Sequence, residues 1–149
     1  DFSVGTINKS FFENIANDAI DVSGSKLTVK STQFIGIRDK AVSVGEGSIV
    51  DGENLDVRQS TIGIASKDSS ITNIALSKFE EISGTALLAF VKKEEYGPSE
   101  LHCSQCEFVD VRNIAVEQNN SEVTVNGANI DATMPSGEQI LRQEFYKVD

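Results

Sequence analysis

Tryptophan is absent from this chain of 149 residues, histidine and methionine occur once each, and cysteine and proline occur twice each. The two cysteines and the single histidine are too few to complete a four-ligand zinc site of the usual kind. No Asp-x-Asp calcium cluster is present either. The sequence therefore predicts no metal and no cofactor. No apolar run is long enough to cross a bilayer, so no membrane insertion is expected.

Positive charge is also scarce. Thirteen lysines and arginines stand against 23 aspartates and glutamates, which gives a formal net charge of −10 and an isoelectric point near 4.5. Binding to nucleic-acid phosphates needs a basic face, so this balance argues against a nucleic-acid partner. It is compatible with a secreted or surface-exposed protein.

Apolar residues recur at a spacing of 22 or 23 residues, lengthened once to 29. An anchor position is occupied in turn by Phe12, Phe34, Val57, Phe79, Phe108 and Ile130. The position seven residues before the anchor is occupied by Gly5, Leu27, Val50, Thr72, Leu101 and Val123. The position three after it holds Ile15, Ile37, Ser60, Ile82, Val111 and Thr133. The position eight after it, with one deletion in the third unit, holds Ile20, Val42, Ile64, Leu87 and Val116. A fixed period of this length is typical of a stacked repeat.

Each unit contains about three short apolar runs with period-2 alternation, separated by Gly, Ser, Asn and Asp. We therefore predict an all-β fold, a right-handed parallel β-helix (solenoid) of five to six rungs with a repeat of about 22 residues. An α-solenoid would need runs of ten or more residues with helical spacing, and the β-branched content and the Gly/Ser turns argue against it.

The two ends of the chain carry separate expectations. The chain begins at Asp1 without a signal peptide, so residues 1–149 are interpreted as one β-helix domain within a larger protein. An open first rung would expose strand edges to an adjacent domain or a second copy. The segment Glu138 to Asp149 has helical spacing of its apolar residues and is predicted to form a short C-terminal capping helix, with Ser136 as its N-cap.

The units ANDAIDVSGS, RDKAVSVGEGS and TIGIASKDSS resemble the pectate-lyase-like β-helix repeats of bacterial carbohydrate-associated proteins. The resemblance covers roughly Phe11 to Ile130. It implies an extracellular or cell-envelope location and a polysaccharide ligand. Members of this fold include lyases, hydrolases, epimerases and accessory modules without activity, so the fold alone assigns no function.

Outward side chains on consecutive rungs would carry any site of such a fold. In the predicted register Asp51, Glu53 and Lys30 share one patch, with His102 two rungs away, about 10 Å along the axis. Such carboxylates, a lysine and a histidine could act as acid and base on a sugar bond. No ladder of matched acidic residues accompanies them. They are catalytic candidates for which a solvated surface is the competing interpretation.

The longer spacing before Phe108 marks an insertion, which contains Lys92, Lys93 and Tyr96. Loops inserted on a rigid scaffold often carry function, so these three residues are candidates for binding a sugar ring; a solvated turn is the alternative. Just before the insertion, Leu88 and Phe90 alternate with inward positions. They are predicted to point outward, as a contact patch or as the floor beneath the loop.

Cys103 and Cys106 form a CxxC pair that falls on predicted inward columns. We interpret them as buried free thiols, because free cysteine is among the most buried residue types. A disulfide around the corner of the coil is the alternative. Zinc is not expected.

These observations favour a non-catalytic β-helix module of a bacterial extracellular or envelope protein that binds a glycan or a protein partner. One alternative is a polysaccharide lyase, hydrolase or epimerase that uses Asp51, Glu53, Lys30 or His102. Another is a structural scaffold whose open rungs associate with further copies.

Overall fold

The computed structural model describes residues 2–118 and 120–129, together with the backbone of Thr133–Met134. These residues form an all-β solenoid of about six turns, and no helix occurs among them. No helix in the described part of the chain is therefore long and apolar enough to cross a membrane.

Twelve strands build the described coils. The first three turns contain β1 (Val4–Asn8), β2 (Phe11–Ile15), β3 (Ile20–Ser23), β4 (Lys26–Gly45) and β5 (Ile49–Lys67). The next two turns contain β6 (Ile71–Ala75), β7 (Lys78–Phe90), β8 (Glu100–Ser104) and β9 (Glu107–Gln118). The last turn contains β10 (Glu122–Val125), β11 (Ala128–Asn129) and β12 (Thr133–Met134).

Parallel pairing between successive turns confirms the predicted repeat. We call the three sides of the coil the first, second and third faces; in the second turn they are residues 26–30, 33–35 and 42–45. On the first face Leu27 pairs with Val50, which pairs with Thr72. On the second and third faces the pairs run as follows: Phe34 with Val57, Val57 with Phe79, Val42 with Ile64, and Ile64 with Leu87. The coil therefore advances by one strand spacing per unit, as expected for a β-helix.

The core fills the inside of the coil with one side chain per column per turn. Val29, Phe34 and Val42 are fully buried, one from each face. Phenylalanines of neighbouring turns stack in pairs, with ring centroids 5.2 Å apart for Phe12 and Phe34. This ladder of like side chains removes a continuous apolar column from water, which is the main stabilising term for such a fold.

A column of serines occupies the corner between the third face and the first, and it is buried from Ser48 onward. The backbone N–H of Ser25 donates to the hydroxyl of Ser48 at 3.1 Å, and that of Ser48 donates to Ser70 at 3.2 Å. The same contact joins Ser99 to Ser121 at 3.1 Å. Backbone donors buried at this corner are thus satisfied by side chains of the following turn, as buried polar groups require.

The corners on either side of the second face each need one left-handed residue per turn. Just before this face the column is Lys9, Ser31, Asn54, Leu76 and Gln105, all with φ of 47–54°. Just after it the column is Asn14, Gly36, Gln59, Glu81 and Asp110, all with φ of 52–70°. A single αL residue bends the chain sharply, and most of these positions accept that conformation without glycine.

The predicted register is wrong in the later part of the fifth turn. Ile82 pairs with Val111 as predicted, but Thr85 then pairs with Asn113, because the fifth turn has one residue fewer at this corner. Leu87 therefore pairs with Ala115, whereas the prediction aligned it with Val116. The third turn has the predicted deletion at the same corner.

The sixth turn also departs from the predicted regular rung. After β10 the chain reverses at Asn126 and Gly127, both with positive φ, and Ala128 pairs antiparallel with Val125. Thr133 pairs with Glu117 rather than continuing the column of Val111. The predicted anchor Ile130 and the predicted helix at 138–149 lie outside the described residues.

Leu88 and Phe90 do not form an open contact patch. Leu87 and Ala89 belong to the main core, while Leu88 and Phe90 join a second cluster that contains Ile62, Ala65 and Val116. The alternation therefore turns Leu88 and Phe90 away from the main core, as predicted. Both are nevertheless fully buried.

Candidate functional site

The four catalytic candidates lie in one groove on the first face. The groove has a volume of about 460 Å³, and its polar lining comprises Thr28, Lys30, Asp51, Glu53, Asn73, His102 and Ser104. Strand register places them: Thr28 pairs with Asp51, Asp51 with Asn73, and Asn73 with His102. The predicted separation of Asp51 and His102 by two turns is confirmed.

These side chains line the groove because the intervening residues of each strand point into the core. Val29, Ile74 and Cys103 are buried between them, as strand periodicity requires. Gly52 occupies the same inward column. A Cβ there would lie 2.7 Å from Ile74 Cδ1 and 2.9 Å from Leu55 Cδ1. Glycine at this position lets the two neighbouring side chains fill the core beneath Asp51 and Glu53.

The groove side chains interact with one another across turns. The Asn73 amide donates to Asp51 Oδ1 at 3.1 Å. Lys30 Nζ lies 3.8 Å from Glu53 Oε2, and both side chains are about half exposed (53% and 51%). His102 lies within hydrogen-bond distance of two groups, with Nδ1 2.6 Å from Thr124 Oγ1 and Nε2 3.2 Å from Glu100 Oε2. The exposed Lys30–Glu53 pair is of the kind that contributes little to stability.

The chemistry of the groove is that of a polar binding surface. Carboxylate, amide, hydroxyl and imidazole groups alternate along it, and each can donate or accept hydrogen bonds with a hydroxyl-rich ligand. No group of three or more histidine, cysteine, aspartate or glutamate side chains suited to hold a metal ion occurs within the described ranges.

The insertion loop lies at a corner outside the lining of this groove. Asp68, which is buried, accepts hydrogen bonds at Oδ1 from the backbone N–H groups of Lys92 (2.7 Å) and Lys93 (2.8 Å). The Lys93 ammonium forms an ion pair with Glu46 of an earlier turn. Hydrogen bonds from Lys93 and then Ser23 lower the pKa of Glu46, and the bond to Glu46 raises the pKa of Lys93. The loop is thus tied down across three turns of the coil.

Tyr96 lies in the same loop and is partly buried. Its backbone N–H donates to the Lys93 carbonyl at 3.0 Å, which closes a turn within the loop. The turn holds Tyr96 close to Lys92 and Lys93. These three residues lie at a different place from the groove. Their role in sugar binding stays a prediction.

Cys103 and Cys106 form a disulfide, so the prediction of free thiols is wrong. Their burial was predicted correctly, at 2% and 8% exposed. The αL conformation of Gln105 turns the chain between them, so that both side chains enter the core with their Cα atoms 5.9 Å apart. That separation lies within the range a disulfide spans. Cys103 alternates with His102 and Ser104, so the disulfide lies behind the wall of the groove.

The sequence interpretation overlooked a row of charges on the second face. Arg58 forms an ion pair with Asp56 at 2.7 Å and lies 3.7 Å from Glu80, which in turn pairs with Lys78 at 3.1 Å. The hydrogen bond and the charge of Asp56 raise the pKa of Arg58. The repeat itself would have revealed this row, since Asp56 pairs with Lys78 and Arg58 with Glu80 in the same columns.

Two lysines next to the third face were overlooked as well. Lys40, which is buried, forms ion pairs with Asp18 (3.0 Å) and Asp39 (2.9 Å). Lys67 donates from Nζ to the Ser43 hydroxyl at 2.8 Å, and burial lowers the pKa of this lysine. Asp18 and Lys40 are 22 residues apart, so the repeat period was the available signal.

No protein-family model matches this sequence, and no curated protein matches it either.

Proposed function

We propose that this chain is a non-catalytic β-helix module of a bacterial extracellular or envelope protein, and that it binds a glycan in the groove of the first face. The observation that carries the proposal is the ladder of polar side chains in register along this groove. Successive members are one strand spacing apart, about 4.8 Å along the axis, which is comparable with the length of one sugar ring. The resemblance of the repeats to those of carbohydrate-associated proteins supports the same ligand class.

The disulfide supports the proposed location. Disulfides form and persist in oxidising environments such as the cell exterior and the bacterial periplasm, and they are rare in the cytosol. Cys103 and Cys106 are paired in a chain with no further cysteine.

The arrangement of the groove supports binding over catalysis. Asn73 separates Asp51 from His102 and hydrogen-bonds the former, while His102 faces Thr124 and Glu100. A general base must lie within hydrogen-bond distance of the proton that it abstracts, and both Asp51 and His102 already face protein groups at that distance.

The enzyme alternative is favoured by one observation, which is that Asp51 and Glu53 lie on the same face of one strand. Product release from a polysaccharide, lost in Asp51→Asn, would establish that alternative.

Calorimetric titration with a panel of neutral, acidic and amino oligosaccharides tests the proposed function. Replacing Asn73 by Ala should weaken the ligand by about fivefold, because one hydrogen bond in the groove is lost. Asn17→Ala, an exposed asparagine of the first turn, is the matched control and should bind like the parent. Failure of every glycan to bind, or equal weakening by both variants, would contradict a glycan site in the groove.

The scaffold alternative also has an observation in its favour. Within the described residues β1, β2 and β3 pair on one side only, with β4. Phe2, Val4 and Phe11 at this end are 66%, 74% and 54% exposed. Strand edges and apolar side chains of this kind favour docking of an adjacent domain or a second copy. Light scattering would support self-association if it shows oligomers that Phe11→Glu abolishes.

A further inference from the structure

Negative charge predominates among the side chains that line the groove. Asp51 and Glu53 project from one strand, and Glu100 lies against His102. Lys30 is the lysine in the lining of the groove, and it lies beside Glu53. The whole chain carries a net charge of −10. This charge balance favours cations over anions within a Debye length of roughly 10 Å of the groove.

From this we infer that the ligand is an amino-sugar oligosaccharide, with free ammonium groups that bind Asp51 and Glu53. The inference rests on the proposed function and assigns its ligand class. An ammonium group supplies three donors, and its hydrogen bonds to carboxylates are stronger than those between neutral groups. The ring hydroxyls of the same ligand face Asn73, His102 and Ser104.

Both carboxylates have acceptor capacity for such a ligand. Asp51 receives one hydrogen bond from Asn73, at Oδ1. Among the described residues, Glu53 has only the long contact of 3.8 Å with Lys30, and both of these side chains are about half exposed. A half-exposed pair at that distance is weakly held, so an ammonium of the ligand can replace Lys30 at Glu53.

An acidic polysaccharide is disfavoured by the same geometry. Carboxylates of a polyuronate laid along the ladder would approach Asp51 and Glu53, and like charges at close range repel. Within the lining, one lysine does not offset these two carboxylates. The groove thus discriminates by repulsion of acidic sugars as well as by attraction of amino sugars.

The test is calorimetric titration of the whole chain with three hexasaccharides: glucosamine, N-acetylglucosamine and galacturonic acid. Titrations are run at low ionic strength and mildly acidic pH, where ligand amines and ordinary carboxylates are both charged. The glucosamine hexamer should bind most tightly, and the galacturonate hexamer at least about tenfold more weakly, since charge-assisted hydrogen bonds are at stake.

Two double variants locate the effect. Asp51→Asn with Glu53→Gln keeps the shape of the groove and should weaken the glucosamine hexamer by about tenfold or more. Glu13→Gln with Glu107→Gln changes net charge equally, at exposed sites outside the groove, and should alter binding by less than about twofold, because distant charges are screened. Unchanged melting temperatures show that both variants are folded.

The outcomes separate this inference from the proposed function. Equal or tighter binding of the acetylated or galacturonate hexamer would overturn the amino-sugar assignment and leave glycan binding intact. Equal weakening by the two double variants would overturn the role of Asp51 and Glu53. Absence of binding by all three hexamers would refute the proposed function together with the inference.

Discussion

Two buried threonines differ in whether their hydroxyl groups have a hydrogen-bond partner, and this difference decides what each hydroxyl contributes to stability. Thr32 Oγ1 donates to the Lys30 carbonyl at 2.9 Å. Thr85 Oγ1 is buried and has no hydrogen-bond partner in the described part of the chain. Both residues are fully buried, yet only Thr32 gains a bond that offsets the cost of removing its hydroxyl from water.

Replacing each threonine by valine should therefore have opposite effects on stability. Thr85→Val removes an unsatisfied polar group and should raise the free energy of unfolding by about 1 kcal/mol. Thr32→Val removes a satisfied one and should lower it by about 1 kcal/mol. Urea unfolding of both variants measures the difference, and a loss of stability in Thr85→Val would show that its hydroxyl is bonded.

Individual residues also explain which corners could be predicted. Leu76, Glu81 and Gln105 adopt the left-handed conformation although none is a residue type that favours it. The columns to which they belong share a backbone angle and no common side chain, so composition does not mark them. Asn126-Gly127, by contrast, is the strongest short-range signal for a hairpin, and a regular 22-residue period continued through these two residues conflicts with it.

Among the elements, the faces of the coil were predictable and their connections less so. Inward columns such as Val29, Ile74 and Cys103 hold apolar residues at the repeat spacing, and these residues alternate with polar ones along each strand. Both patterns identify the inward positions. The shortened corner between Val111 and Asn113 changes the register without any glycine or proline to mark it. The disulfide forms because the left-handed conformation of Gln105 turns the chain between the two cysteines, and glutamine is not a residue type that predicts this conformation.

The disulfide should stabilise the corner that it closes. The loop between Cys103 and Cys106 is short, so restriction of the unfolded chain is worth about 2 kcal/mol. A Cys103→Val/Cys106→Ser variant, which uses the residue types of Val125 and Ser77 in the same columns, should lose about that amount in urea unfolding. A thiol reductant should destabilise the parent and leave this variant unchanged. Equal sensitivity of the two proteins would contradict the disulfide.

At the scale of the whole molecule, the repeat determines where polar groups meet. Residues 22 or 23 apart become neighbours, so Asp51 meets Asn73, and Arg58 meets Glu80. The residues of the groove could therefore be predicted from the sequence, since the repeat period alone assigns them to neighbouring positions on the first face. Two features could not be predicted from the strand register alone: the hydrogen bonds within the groove and the position of the insertion loop. Both depend on side-chain geometry.

The most direct test of glycan binding in the groove is an NMR titration of the labelled chain with the oligosaccharide that binds best. The amide signals of Asp51, Glu53, Asn73 and His102 should shift together and saturate, while those of the second face stay in place. Shifts confined to Lys92, Lys93 and Tyr96 would move the site to the insertion loop. That result, or the absence of shifts on the first face, would contradict glycan binding in the groove.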